Sequence, residues 1–230
     1  MSDALKHIAF VLDGNRRWAR KQNLSTLQGH KSGYERVKTI TSLLPKYGIE
    51  YVTYYLFSME NWERTAEEVN YLLGLFRNFF SADDYVMRHG IRIKAIGNLE
   101  KLPPDVLERV RYLEDLTSAN TSLTVAVAIS YGGRDEVVRA TQRVIRDVME
   151  NKISAVELNE EIFASYLDTA SMPYPDAFVR TGEKRISNFL IWQAAYAEIF
   201  FVDKLWPDFD ESDLKKIVLE FSQRERRYGK

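Results

Sequence analysis

Apolar residues in this chain fall into two alternating rhythms. Short, nearly continuous apolar runs occupy residues 7–12, 50–57, 91–96, 122–130, 176–180 and 198–202. Runs of this length, such as Ile8 to Leu12, fit strands buried on both faces. Between them, apolar residues recur at three and four positions, which predicts helices near 31–44, 66–88, 104–119, 134–150, 159–167, 188–195 and 211–227. Strands separated by helix-length spacers imply an α/β fold with a mainly parallel sheet and right-handed crossovers. Such sheets bind ligands beyond the carboxyl ends of their strands.

The polar punctuation supports that placement. The first strand ends in Asp13-Gly14-Asn15 and the second in a stretch from Ser58 to Arg64. The fourth ends in Tyr131-Gly132-Gly133-Arg134 and the fifth in a stretch from Arg180 to Arg185. Glycine, asparagine and arginine therefore gather at one edge of the sheet, as a converging site requires. Asp13-Gly14-Asn15 is also a common turn and helix-cap triplet, which stands at even odds with a ligand site. Arg17, Arg20 and Lys21 share one face of the helix expected next. That face is either solvated or anion-binding, and its position directly after Asp13 favours the second.

Elsewhere the chemistry is less marked. His30 lies in Gly29-His30-Lys31, just before the helix expected at 31–44, where a capping or surface role is the commoner one. Trp62 reads first as a core anchor. The stripe Val69, Leu72, Leu73, Leu75, Phe76, Phe79 and Phe80 is wider than one sheet contact needs. It is either core or one wall of an apolar tunnel or groove. Asp83-Asp84 has no second acidic pair and carries no catalytic weight. Ser187 and Asn188 are placed to cap the helix expected at 188–195, which would make Arg180, Arg185 and Ser187 a second anion site. Glu198 is either a cap or a paired functional acid. The tail Arg224 to Gly229 reads most simply as a frayed basic end.

Composition narrows the classes. The chain has 230 residues, 45% of them hydrophobic, and a formal net charge of -1, so one globular domain over 1–230 with a substantial core is expected. Near-neutrality argues against a general nucleic-acid binder. The absence of cysteine excludes disulfides, thiolate metal sites and thiol nucleophiles, and fits a cytoplasmic protein. The start, MSDALKH, has no signal-peptide pattern, and no apolar run approaches a membrane span. Neither G-x-x-x-x-G-K-[ST], G-x-G-x-x-G nor G-x-S-x-G occurs.

Taken together, HIAFVLDGNRRWA, GHKSG, FSMENWERTAEEV, ISYGGRDE, RTGEKRISNFLIWQAAYAE and LWPDFDE resemble the signature segments of the cis-prenyltransferases, in order and from about residue 7 to the C-terminus. The resemblance implies Mg2+-dependent condensation of isopentenyl diphosphate onto an allylic diphosphate such as farnesyl diphosphate. The product would be a long polyprenyl diphosphate such as undecaprenyl diphosphate, a cell-wall lipid carrier. It implies a homodimer with a six-stranded sheet, flanked by about seven helices and enclosing an apolar tunnel. The enzyme would be cytoplasmic and would touch the inner face of the membrane transiently to release product.

By the same likeness, Asp13 is the catalytic acid and a Mg2+ ligand, and Asn61 assists proton removal. Gly14, Asn15, Arg16 and Arg17 cradle the allylic diphosphate, with Trp18 and His30 beside it. Ser58, Met59 and Glu60 line the substrate, with Trp62 and Arg64 adjacent. Arg180, Arg185, Ile186 and Ser187 match the isopentenyl diphosphate site, and Glu198 a second metal-linked acid. Arg227-Tyr228-Gly229 resembles a tail that reaches across the dimer. Two departures stand out. Thr26 occupies a position where many members carry arginine, and the loop from Arg180 to Glu183 is one residue shorter than in many relatives, around Lys184.

Two rival readings follow from the residues. A non-catalytic partner subunit of the same fold would tend to lose Asp13 and the arginine clusters, which this chain keeps. A general phosphate-ligand binding protein would need neither the wide apolar helix nor two anion sites.

Overall fold

The computed structural model describes residues 4–79 and 83–226. Six strands form one sheet: β1 (His7–Val11), β2 (Tyr51–Ser58), β3 (Ile91–Ile96), β4 (Leu123–Tyr131), β5 (Ala177–Thr181) and β6 (Glu198–Val202). Their order is β3-β4-β2-β1-β5-β6, and every ladder is parallel. Eight α-helices occur among the described residues: α1 (Asn15–Lys21), α2 (Thr26–Leu43), α3 (Ala66–Phe79), α4 (Asp83–Arg88), α5 (Pro104–Leu116), α6 (Gly133–Met149), α7 (Glu160–Ala164) and α8 (Glu211–Gln223). None of the described helices is long and apolar enough to cross a membrane.

The sheet explains the unbroken apolar strands. β1 is buried at all five positions because it lies between β2 and β5 and is covered on both faces. Ile8 and Phe10 join the larger core, with α2, α3, α5 and α8. Ala9 and Val11 face a smaller core built with Phe178, Phe189 and Leu190. Trp206 closes the larger core: it is fully buried, stacks on Phe209 at 5.4 Å and donates from Nε1 to Gly33 O at 2.9 Å.

The chain leaves β1 towards β2 on one side and returns to β5 on the other. This reversal of strand order at β1 is where open α/β sheets leave a crevice. The pairing Val11↔Arg180 brings residues 13 and 180 to the same rim.

Several expected helices differ. α2 starts at Thr26 rather than near 31, because Ser25 and Gln28 form a reciprocal capping box. His30 therefore lies inside a helix, not before one. The span 66–88 contains two helices; residues 80–82, including Phe80 of the apolar stripe, lie outside the described residues. The helix expected at 159–167 has only five residues.

The helix expected at 188–195 does not form. Ser187, Asn188 and Leu190 all have positive φ, of 49°, 60° and 47°, and no α-helix runs through left-handed residues. Ser187 and Asn188 thus cap no following helix. Asn188 caps α6 instead: its carbonyl accepts from Gly133 N at 2.7 Å and its Oδ1 from Arg134 N at 2.9 Å. The last residue of the span 211–227 and the tail segment Arg227-Tyr228-Gly229 lie outside the described residues.

His7 gives the fold a pH dependence. It is 2% exposed, with Nδ1 at 2.7 Å from Pro173 O and Nε2 at 2.8 Å from Thr53 Oγ1. Burial pushes its pKa down from 6.5 to about 4. The unfolded chain therefore takes up a proton between pH 6.5 and 4 that the folded chain refuses. His7's contribution is complete above about pH 6.5 and is lost as pH falls towards 4. Urea unfolding should show a His7-dependent loss of about 2 kcal/mol between pH 7 and pH 5. The His7→Gln variant should lack that part of the slope.

Candidate functional site

Asp13 follows β1 on a turn fixed by backbone contacts. Its N–H donates to Thr181 Oγ1 at 3.0 Å, and its carbonyl accepts from Thr181 Oγ1 at 2.8 Å and from Trp206 N at 2.9 Å. Gly14 is the N-cap of α1 at φ 111°, and no side chain caps that helix. Asp13 is thus free of the capping role that its sequence allowed. A Cβ on Gly14 would stand 2.7 Å from Leu205 Cδ2, so glycine is needed for both conformation and space. A Cβ on Gly29 would meet Asn15 O at 2.4 Å, which is why α1 can cross α2 so closely.

The Asp13 carboxylate meets two arginines. Arg180 Nη2 lies 2.8 Å from Oδ2, and Arg17 Nη2 lies 3.5 Å from Oδ1. Arg180 is 3% exposed, and its Nη1 also donates to Arg185 O at 2.8 Å and to Ser187 Oγ at 2.5 Å. Glu183 links the two arginine clusters: it pairs with Arg17 at 2.8 Å and with Arg185 at 3.2 Å. Asn15 Oδ1 and Arg180 Nε are buried without a hydrogen-bond partner among the described residues. Buried polar atoms are rarely left so.

These groups line one cavity of about 1140 Å3. From the first strand end it takes Asp13, Gly14, Asn15, Arg16 and Arg17, and from α2 His30. From the second strand end it takes Ser58, Glu60, Asn61 and Arg64. From the fifth it takes Arg180, Arg185, Ile186 and Ser187. Asn61 is held by its Oδ1, which accepts from Ser58 N at 3.0 Å. The opposite wall is apolar: Val37, Leu72, Leu75, Phe76 and Phe79. Seven arginines in all line the cavity, against the carboxylates of Asp13 and Glu60, so its polar end attracts anions.

Four of the expected site residues do not line this cavity. Trp18 turns to Asp208, donating from Nε1 at 2.7 Å. Trp62 packs against the larger core and donates to Ser130 Oγ at 3.0 Å, and Met59 Sδ lies 3.4 Å from the same hydroxyl. Glu198 opens β6, which pairs with β5 through Ala177↔Glu198. It stands at the sheet edge opposite Asp13 and is ion-paired with Arg224 at 2.6 Å. One chain therefore does not bring Glu198 to Asp13. Among the described residues no group of three His, Asp or Glu side chains is arranged to hold a metal.

The structure places Arg20 and Arg134, which the sequence set on an anion-binding helix face and at the converging sheet edge, in the cavity wall. It adds Tyr34 in that wall, Glu183 between the clusters and Glu68 beneath His30. Glu68 is 7% exposed; its Oε1 lies 2.9 Å from His30 Nε2 and 2.9 Å from Arg64 Nη1. Burial alone would raise the Glu68 pKa, but the bond from His30 and the charge of Arg64 hold it below the usual range. Burial lowers the His30 pKa, and the bond to Glu68 opposes this. His30 is thus a neutral donor that ties the cavity wall to α3. A buried His–Glu–Arg link has no sequence period, because its members come from two helices and a loop.

Comparisons with known proteins agree with this architecture. The profile of a family described as "Putative undecaprenyl diphosphate synthase" matches residues 11–229. The isoprenyl transferase of Treponema denticola is 45% identical over 231 residues, covering 100% of this chain and 99% of that one. The farnesyl-diphosphate-specific ditrans,polycis-undecaprenyl-diphosphate synthase of Legionella pneumophila is 42% identical, covering 97% of this chain and 95% of its own. The crystal structure of lavandulyl diphosphate synthase from Lavandula x intermedia, in complex with dimethylallyl diphosphate, superposes with a TM-score of 0.95 at 30% identity. It covers 99% of each chain.

The His30–Glu68 link is testable by titration. Glu68→Gln removes the charge that sustains protonated His30, so the His30 pKa should fall further below 6.5. An NMR titration of the imidazole in wild type and variant measures this directly, and an upward shift would contradict the pairing.

Proposed function

The chain belongs to the undecaprenyl diphosphate synthase family of prenyl transferases, and on that premise we propose that it adds isopentenyl diphosphate units to farnesyl diphosphate with cis geometry. The product is a long polyprenyl diphosphate of the undecaprenyl kind, the lipid carrier of cell-wall synthesis. One observation carries this reading: Asp13, Arg17 and Arg180 meet at the polar end of a cavity whose far wall is hydrocarbon.

The chemistry fits the two ends. In each cycle the allylic C–O bond breaks and the diphosphate leaves with the electron pair. The double bond of the isopentenyl unit supplies the electrons of the new C–C bond. A proton then leaves that unit, and a cis double bond remains. Negative charge grows on the leaving oxygens, where prearranged arginine donors stabilise it most. In this reading Gly14, Asn15, Arg16, Arg17, His30 and Arg64 hold the allylic diphosphate. Arg180, Arg185, Ile186 and Ser187 hold the isopentenyl diphosphate. Asn61, fixed on Ser58 N–H, assists proton removal. Ser58 and Glu60 line the substrate there, Met59 and Trp62 are held behind them at Ser130, and Trp18 stays on α1, tied to Asp208.

Asp13 is also the residue to hold Mg2+. Mg2+ needs only one or two carboxylates when substrate phosphates supply further oxygens, so a lone aspartate beside two arginine clusters suits it. The ion supplies charge that stabilises the departing diphosphate. Within one chain Glu198 is no part of this set, so it could join only through a second subunit.

The growing tail gains about 0.8 kcal/mol for each CH2 taken from water. The apolar side chains from Val37 to Phe79 on the cavity wall support an apolar tunnel as its host. A homodimer is supported by β6, an edge strand with Ile199 and Phe201 exposed beside Tyr196. In this reading the enzyme is cytoplasmic, and a product too apolar to leave into water supports transient contact with the membrane surface.

Purified protein given farnesyl diphosphate, labelled isopentenyl diphosphate and Mg2+ should form polyprenyl diphosphates, resolved by chain length. Asp13→Ala should lower the rate by about 10²–10³-fold, the scale of losing one transition-state stabiliser. Absence of elongation in wild type, or full activity in the variant, would reject the assignment. Sedimentation should show a dimer in wild type and dissociation in the Ile199→Asp, Phe201→Asp double variant.

A further inference from the structure

Seven arginines line the cavity, and they are not alike. Arg17, Arg64, Arg180 and Arg185 are each engaged by a carboxylate. Arg16, Arg20 and Arg134 show no hydrogen bond or ion pair from their guanidinium groups among the described residues. Arg16 and Arg20 belong to α1, on the side assigned to the allylic diphosphate. Arg134 stands alone on the other side, at the second position of α6.

Its location is electrostatically unfavourable on its own. The first turn of a helix carries partial positive charge, so a cation there is repelled. The acids next to it in sequence do not relieve it, and Glu60 across the cavity is 3.5 Å from Asn188 Nδ2 and forms no ion pair with Arg134. Asp135 pairs with Arg139 at 2.6 Å, and Glu136 is fully buried against Tyr131 and Gln193. A guanidinium held at that end without a counter-charge suits an anion that arrives from solution.

The backbone ties Arg134 to the second anion site. Arg134 N–H donates to Asn188 Oδ1, and Gly133 N–H donates to Asn188 O, so the α6 start is registered against the residue after Ser187. Gly132 and Gly133 make that approach possible. A Cβ on Gly133 would stand 2.8 Å from Ile191 Cγ1, and one on Gly132 would stand 2.9 Å from Asn188 Nδ2. The left-handed Ser187 and Asn188 complete the fit.

Charge balance then identifies what Arg134 serves. On this side Arg180 is matched by Asp13 and Arg185 by Glu183. Both carboxylates are shared with Arg17 as well, so three guanidiniums face two carboxylates and leave about one positive charge; a diphosphate carries about two to three negative charges at neutral pH, and Arg134 adds a cation that no carboxylate among the described residues engages. Building on the function proposed above, we propose that Arg134 is a binding residue for the diphosphate of the isopentenyl unit. It meets the phosphates beside Arg185 and Ser187 and supplies the charge that those residues share with Glu183 and Asp13.

The test compares wild type, Arg134→Ala and Arg134→Lys. In the elongation assay, Arg134→Ala should raise KM for isopentenyl diphosphate about tenfold, with KM for farnesyl diphosphate moving less than twofold. Arg134→Lys should recover part of the loss, since it restores charge without the fork. Calorimetric titration with inorganic pyrophosphate should show one binding phase weakened in Arg134→Ala. Matching urea midpoints would show that the variant folds normally. Unchanged KM for isopentenyl diphosphate, or equal rises for both substrates, overturns the proposal and leaves the cis-prenyltransferase reading standing. If wild type elongates nothing, that reading fails, and unchanged pyrophosphate affinity in the variant then overturns the present proposal as well.

Discussion

The buried guanidinium of Arg180 is the constraint on which the site depends. It sits at the end of β5, 3% exposed, and an arginine cannot shed its charge there. A buried cation needs partners for its charge, and four of the five N–H donors of Arg180 sit on the two arms that find them, Nε alone being left over. Asp13 meets one arm, and Arg185 O and Ser187 Oγ meet the other. The same group therefore fixes the Asp13 carboxylate and folds the 185–187 segment over the rim. Neither feature would hold its place if β1 and β5 were not adjacent strands.

That adjacency also explains the shape of the cavity. β1 is the central switch strand, and loops from β1, β2, β4 and β5 all open at its carboxyl end. α2 and α3 lean over the same end, and their inner faces bring Val37, Leu72 and Phe76 to the cavity. A polar floor and an apolar wall thus arise from one arrangement of layers. The His30–Glu68–Arg64 link joins the two, because it anchors an α2 residue to the start of α3 through a single carboxylate oxygen.

The segment after Ser187 spends conformational freedom to reach its position. Three left-handed non-glycine residues within four positions are costly, of the order of 1 kcal/mol or more each. Packing and polar contacts offset this. Phe189 stacks on Tyr55 at 4.4 Å, Asn188 caps α6, and Gln193 donates to buried Glu136 and to Thr169. Strain supported from three sides is a means of presenting Ser187 and Arg185 rigidly to a ligand.

The sequence by itself determined the layer order and the polar rim. Apolar runs buried on both faces specify parallel strands whatever their partners, and the Asp13-Gly14-Asn15 turn marks a strand end without knowledge of the neighbours. Local chemistry sufficed for these because periodicity and turn propensity act over a few residues. Only the tertiary structure decided the rest. Residues 188–195 have helical spacing, yet contacts with α6 and the smaller core force left-handed backbone there. Glu198 looks like a partner for Asp13 until the register of β5 and β6 places it at the other edge. Glu68, Glu183 and Arg134 have ordinary surroundings along the chain, and their roles follow from which charges lie across from them. Charge pairing over tens of residues depends on strand order, and strand order is a property of the folded whole.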